Sequence, residues 1–268
     1  MDISKKQFET VLVSREEGIT TIMLNRPKVF NAISPQLMVD LGEAAEAASK
    51  DEETRVVIVM GAGKAFCAGG DVAEDVALVG MKTPFEYREY IASFANVIKK
   101  IYWMEKPIIA AINGVTVGGG CDLAMACDIR VASDKARFGA GYIKMGIISE
   151  LGANYFLPRL IGLGRAKLFS FTGDLIDAKK AEEIGLVDEV VESSEFDARV
   201  KELAQKLAKG PTKTIAMYKM AINRSLNMDL ESSLEYSQNL AFFTMRTEDH
   251  IEGYQAFLEK RAPAFKGK

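Results

Sequence analysis

The sequence predicts an α/β fold, because strand-like and helix-like segments alternate as far as Val191 and the remainder reads as successive helices. Three observations carry this. Val56 to Met60 and Pro107 to Ile112 are unbroken apolar runs, as strands buried on both faces would be. Two glycine turns, Ala68-Gly69-Gly70 and Gly118-Gly119-Gly120, each follow strand-like sequence and precede helix-like sequence. From Ile161 onward the apolar spacing becomes almost purely helical.

Taken in order, Phe8 to Ser14 and Ile19 to Leu24 form a predicted hairpin around Glu16-Glu17-Gly18, closed by Arg26-Pro27. Ser34-Pro35 supplies an N-cap and a proline at the first helical position. Leu37, Met38, Leu41, Ala44, Ala45 and Ala48 then share one helical face. The Val56 strand ends in Gly61-Ala62-Gly63, and Glu74 to Thr83 has no clear pattern and reads as a mobile segment. A long helix follows Pro84 to about Met104 and stops before Pro107. After the second glycine turn, Cys121 to Cys127 has the composition of a buried helix. Short strands at Ile129 to Ala132 and Arg137 to Gly139 lead to an irregular stretch, Tyr142 to Glu150, and a helix from about Leu151 to Leu160. Asp177 caps a short helix ended by Gly185, and Val187 to Val191 is the last predicted strand. Val200, Leu203, Ala204 and Leu207 mark an amphipathic helix, with further helices over Thr212–Leu226, Asp229–Met245 and Asp249–Lys260.

Composition narrows the function. At 268 residues, with 48% hydrophobic and 26% charged residues, the chain has the make-up of an ordinary soluble globular protein of one large domain, with or without an appendage. A net charge of −3 argues against a nucleic-acid footprint. No apolar run approaches the ~20 residues that span a bilayer, so no membrane partner is expected. The first residues carry no hydrophobic signal core, which makes a cytoplasmic location the expectation. Cys67, Cys121 and Cys127 sit in apolar surroundings and read as buried core residues, not a disulfide framework or metal site. His250 is the only histidine, so triad and multi-histidine metal chemistry are disfavoured; no metal is expected. Catalysis must rest on carboxylates, tyrosines and backbone groups.

A glycine turn lets backbone approach a ligand closely, although a lone one more often serves strand–helix packing. Two converging turns could each supply one N–H to an oxyanion hole that stabilises an enolate. A dinucleotide site is disfavoured, because Gly61-Ala62-Gly63 lacks the third glycine at the required spacing.

The segments KAFCAGGDV and AAINGVTVGGGCDLAMACDIRVASDKARFG resemble the crotonase (enoyl-CoA hydratase/isomerase) superfamily. Arg26-Pro27-Lys28-Val29-Phe30-Asn31-Ala32, PRLIGLGRAKLFSFTG, DAKKAEEIGLVDEVV and the terminal AFLEKRAPAF extend the likeness over nearly the whole chain in the family's order. The resemblance implies a spiral of ββα units over residues 1–195 that holds the active site, and a helical trimerisation region over 196–268. It further implies a homotrimer or a hexamer built as a dimer of trimers. The substrate would be an acyl-CoA thioester, with coenzyme A part of that substrate and no separate cofactor. Its carbonyl would lie between the N–H groups of Gly70 and Gly119. Coenzyme A contacts carry over to Lys28 and Val29, to the backbone of Ala65, Ala68, Asp71 and Val72, and to Phe257 and Lys260 reaching a neighbouring subunit.

The family's hydratases use two glutamates. Asp122 stands at the first position, and Tyr142 replaces the second. Glu150 occupies a position that is commonly glycine in hydratases but acidic in several isomerases. These include a peroxisomal Δ3,Δ2-enoyl-CoA isomerase type and a ring-epoxide isomerase of phenylacetyl-CoA breakdown. The leading expectation is therefore a double-bond isomerase, with Glu150 removing a γ proton and returning it at the α carbon. The alternative is an enoyl-CoA hydratase in which Asp122 and Glu150 act on water. Both acids lie near helix N-termini, where dipole complementation is the simpler explanation without the resemblance. Tyr142 is expected to form a wall of the substrate pocket.

Overall fold

The computed structural model describes residues 6–74, 80 and 83–268. Most of the Glu74 to Thr83 segment lies outside the described residues. The predicted hairpin is β1 (Val11–Glu16) and β2 (Ile19–Leu24), joined through Glu17 and Gly18, both at positive φ. Helix α1 (Pro35–Lys50) starts as the sequence predicts, with the Ser34 hydroxyl accepting from Leu37 N–H. Strands β3 (Val56–Gly61) and β4 (Ala65–Cys67) precede α2 (Pro84–Tyr102). Strands β5 (Ile108–Ile112) and β6 (Val115–Val117) precede α3 (Gly119–Ala126). Then come β7 (Ile129–Ser133), β8 (Arg137–Gly139), a 3₁₀ turn at Tyr142–Met145, and α4 (Ala153–Ile161). Helix α5 (Leu163–Thr172) leads to β9 (Ile176–Asp177), α6 (Ala178–Glu183) and β10 (Glu189–Val191). Four helices finish the chain: α7 (Phe196–Ala208), α8 (Thr212–Ser225), α9 (Leu230–Thr244) and α10 (Glu248–Glu259).

The strands form two sheets, ordered β1-β2-β3-β5-β7-β10 and β4-β6-β8-β9. From β3 to β8, each successive strand pair places its first member in the large sheet and its second in the small one. The chain thereby advances as a spiral: β3 and β4, β5 and β6, β7 and β8 are parallel to their counterparts one turn away. The unbroken apolar runs now have a cause. Val57, Val59, Ile108, Ala110 and Ile112 join the main core with α1 and α2, whereas Val56, Ile58, Ile109 and Ala111 meet Phe196, Val200 and Ala204 of α7.

Asparagine side chains stitch the turns of the spiral. Asn31, at φ 56°, accepts from Arg26 N–H and donates to the carbonyls of Ala62 and Ala65. Asn113 donates to Gly63 O. The three cysteines are buried and free. The C-terminal helices are held differently: a buried Lys219 on α8 pairs with Asp128 at 2.8 Å, while α9 buries none of its residues within the single chain. Among the described residues, no helix is long and apolar enough to cross a membrane.

Candidate active site

The two glycine turns lie side by side. A Cβ on Gly69 would sit 2.8 Å from Val117 O and 3.6 Å from Gly119 N. Each glycine of the second turn has a separate reason to be there. Gly118 adopts φ 53°, ψ −122°, and a Cβ on Gly120 would meet Cys67 O at 2.1 Å. Gly119 opens α3, so its N–H belongs to the first turn and has no helical acceptor. Gly70 bridges to Ile33: Ile33 N–H donates to Gly69 O and Asp71 N–H to Ile33 O, which leaves the Gly70 N–H turned away from that pairing. Among the described residues neither Gly70 nor Gly119 N–H has a backbone acceptor. Two unpaired backbone N–H groups of this kind are able to donate to one anionic oxygen.

Both glycines line a cavity of about 730 Å³. Ile33, Tyr90, Ile91, Phe94, Tyr142 and Leu151 make most of its wall apolar or aromatic. Glu150 is the one carboxylate on that wall among the described residues, and its Oε1 accepts from the Tyr87 hydroxyl at 3.2 Å.

Asp122 lies elsewhere. It is fully buried on α3, behind the wall, and does not line the cavity. Its Oδ2 accepts from the Tyr142 hydroxyl at 2.6 Å and from Ser149 Oγ at 2.8 Å, and among the described residues its Oδ1 has no hydrogen-bond partner. Burial pushes its carboxyl up to about 6, opposed by those hydrogen bonds and aided by the nearby Glu150 charge. Burial likewise raises the Tyr142 hydroxyl, helped by Asp122. The sign for stability follows. A carboxyl titrating near 6 when folded and near 3.8 when unfolded holds its proton more tightly in the fold. Stability from this group is therefore fully present below about pH 4 and declines as pH rises to about 6. Chemical denaturation across that window is expected to show the wild type losing about 3 kcal/mol relative to Asp122→Asn.

The remaining expected contacts divide. Ala68 and Val72 line the cavity. Lys28 and Val29 sit exposed on a 3₁₀ turn. Ala65 is buried in β4 with its carbonyl taken by Asn31. The Asp71 carboxylate pairs with Arg26 at 3.0 Å, and its N–H is committed to Ile33. Phe257 is 81% exposed on α10; neither it nor Lys260 lines the cavity. Among the described residues no cluster of His, Cys, Asp and Glu is placed to hold a metal ion.

Sequence reasoning missed Tyr87 and Ser149. The signal for the first was present: Tyr87, Tyr90, Ile91 and Phe94 repeat at helical spacing on α2 and face the cavity together. For Ser149 there was none, since its partner Asp122 is 27 residues away.

This two-sheet spiral is the fold of enoyl-CoA hydratases of known structure. The chain matches the enoyl-CoA hydratase/isomerase family model over residues 14–268 and belongs to that family, within the crotonase superfamily. It is 36% identical over 262 residues to a crotonyl-CoA hydratase of Syntrophomonas wolfei, covering 97% of this chain and 99% of the relative. A short-chain-enoyl-CoA hydratase of Clostridium acetobutylicum is 36% identical over 256 residues, covering 95% and 97%. Among solved structures, an enoyl-CoA hydratase of Bacillus anthracis superposes with a TM-score of 0.91 at 35% identity, covering 97% of this chain and all of that one. One from Mycobacterium smegmatis gives 0.90 at 32%, covering 95% and 98%. The chain is an enoyl-CoA hydratase/isomerase by family, and the names of these relatives favour hydration over the isomerisation that the acid placement led us to expect.

Proposed function

We propose that the chain adds water across the double bond of an enoyl-CoA thioester, using Glu150 as its single acid–base group. The observation that carries this is the placement of Glu150 on the cavity wall shared with Gly70 and Gly119. The thioester oxygen accepts from both glycine N–H groups. Glu150 takes a proton from water as the water oxygen bonds to the β carbon, and the double-bond electrons move onto the thioester as an enolate. The same carboxyl then returns that proton to the α carbon, so one water is added in full. Coenzyme A enters as part of the substrate. Asp122 works from behind, holding Tyr142 and Ser149.

Isomerisation is the second reading. It is favoured by Tyr142 standing where a second carboxylate would act, because a proton shift between the α and γ carbons needs only one base. For assembly we propose a trimer or hexamer, supported by the apolar residues that α9 and α10 expose, including Phe242, Phe243, Tyr254 and Phe257.

The test is to follow 2-enoyl-CoA hydration and 3-enoyl-CoA isomerisation on one preparation, with Glu150→Gln and Asp122→Asn beside the wild type. Hydration that disappears in Glu150→Gln and survives in Asp122→Asn is the expected result. Isomerisation without hydration selects the second reading, and hydration untouched by Glu150→Gln overturns both.

A further inference from the structure

We infer that Tyr87 is a positioning residue for Glu150: its hydroxyl, delivered by the first turn of α2, holds the Glu150 carboxylate at the cavity wall beside the glycine turns. The inference rests on the reading of Glu150 as the acid–base group.

Three observations converge on it. First, the Tyr87 hydroxyl donates to Glu150 Oε1 at 3.2 Å, and both residues line the same cavity. Second, the turn that carries Tyr87 is built to be rigid. Pro84 occupies the first helical position. Thr83 Oγ1 accepts from Glu86 N–H, the Glu86 carboxylate accepts from Thr83 N–H at 2.9 Å, and Tyr87 N–H donates to Thr83 O at 3.0 Å. A reciprocal cap of this kind fixes the direction in which the side chain one residue later leaves the helix. The neighbouring Tyr90 and Phe94 rings, with centroids 4.6 Å apart, back the same face.

Third, Glu150 is gripped from the opposite side through its chain neighbour. Ser149 donates to the buried Asp122 and accepts from Ala153 N–H at 3.2 Å, while its carbonyl accepts from Asn154 at 3.0 Å. The backbone before Glu150 is therefore pinned to α3 and α4, and the carboxylate at the end of the side chain is pinned to α2. A glutamate has three side-chain torsions to lose, so a donor at its tip removes most of the remaining freedom.

Among the described residues, the groups that face Glu150 from the packed elements include Tyr87 and Tyr90 of α2, Asp122 of α3 and Tyr142 of the 3₁₀ turn. Of these, Tyr87 donates to the carboxylate and Asp122 places a like charge near it. Removing the Tyr87 donor disfavours the ionised form of Glu150, so activity that needs that form requires a higher pH.

Tyr87→Phe removes one oxygen from a half-buried side chain and leaves the ring packing in place. The enzyme is assayed with a 2-enoyl-CoA and a 3-enoyl-CoA as wild type, Tyr87→Phe, Glu150→Gln and the double variant. The expected result is kcat lower by about tenfold in Tyr87→Phe, KM within about twofold, and the acid limb of kcat moved up by about one pH unit. In the Glu150→Gln background the same change is expected to cost nothing further, because Tyr87 acts through the carboxylate. An unchanged kcat with an unmoved acid limb overturns the inference. So does a loss confined to KM, which marks a wall residue, or a further loss in the double variant, which marks a direct contact with substrate. Failure of the underlying reading is told apart by Glu150→Gln alone: if that variant keeps wild-type activity, the base assignment falls, and Tyr87 with it.

Discussion

Glu150→Gln is expected to lower kcat by about 10² to 10⁴-fold while leaving KM for the acyl-CoA within a few-fold, because a positioned acid–base group contributes that much to the chemical step. Glutamine matches glutamate in shape and keeps an oxygen for the Tyr87 hydroxyl, so the side chain has the same place to sit. What it loses is the ability to take a proton and give it back. The position is half-buried on a cavity wall, and the variant is expected to unfold within about 0.5 kcal/mol of the wild type. A steady-state assay with a thermal melt on the same samples separates the two effects. A comparable loss in Asp122→Asn at unchanged stability would move the chemistry to the buried acid.

Gly119→Ala is the second large effect, expected at about 10²-fold in kcat/KM, with the loss arising from geometry and not from a missing group. The N–H of the residue remains. The added Cβ would lie 2.7 Å from Ile33 Cδ1 and 3.2 Å from Leu151 Cδ1, so the turn or the Ile33 side chain must give. Ile33 is 2% exposed in the main core, and its backbone pairs with Gly69 and Asp71 around Gly70, the other proposed donor. A shift of either partner therefore disturbs the pair of N–H groups as a unit. The clashing atom is the Ile33 Cδ1, which valine lacks. Adding Ile33→Val to Gly119→Ala is expected to restore part of the lost rate, measured as kcat/KM for the four members of the cycle. No recovery would place the damage elsewhere.

The two glycine turns were legible in the sequence because close backbone approach admits almost no other residue, and each glycine at 118, 119 and 120 has its own steric reason. The long strands and the capped helices were legible too, since Ser34 and Asp177 each accept from the backbone where an N-cap should. The division into two sheets was not. Strands β4, β6 and β8 have three residues each, too few for a periodicity to declare itself. The helix expected from Leu151 begins at Ala153, because Gly152 at φ 126° cannot continue a helix backwards, and the Ser149 hydroxyl accepts from Ala153 N–H there. That same hydroxyl ties Asp122 to the loop of Glu150. Asp122, Tyr142 and Ser149 come together only through the spiral, across separations of 20 and 27 residues, and local patterns carry no trace of it. The resemblance therefore implied a place for Asp122 near the substrate, whereas the fold puts it behind the wall.

The central claim is that one carboxylate faces a thioester held by two backbone N–H groups. Its most direct test is a crystal structure with a saturated acyl-CoA bound. The account predicts the thioester oxygen at about 2.7–3.1 Å from both Gly70 N and Gly119 N, with a Glu150 oxygen within about 3.5 Å of the α or β carbon. A thioester that engages neither turn, or a Glu150 carboxylate directed away from the acyl group while the turns are occupied, would contradict it.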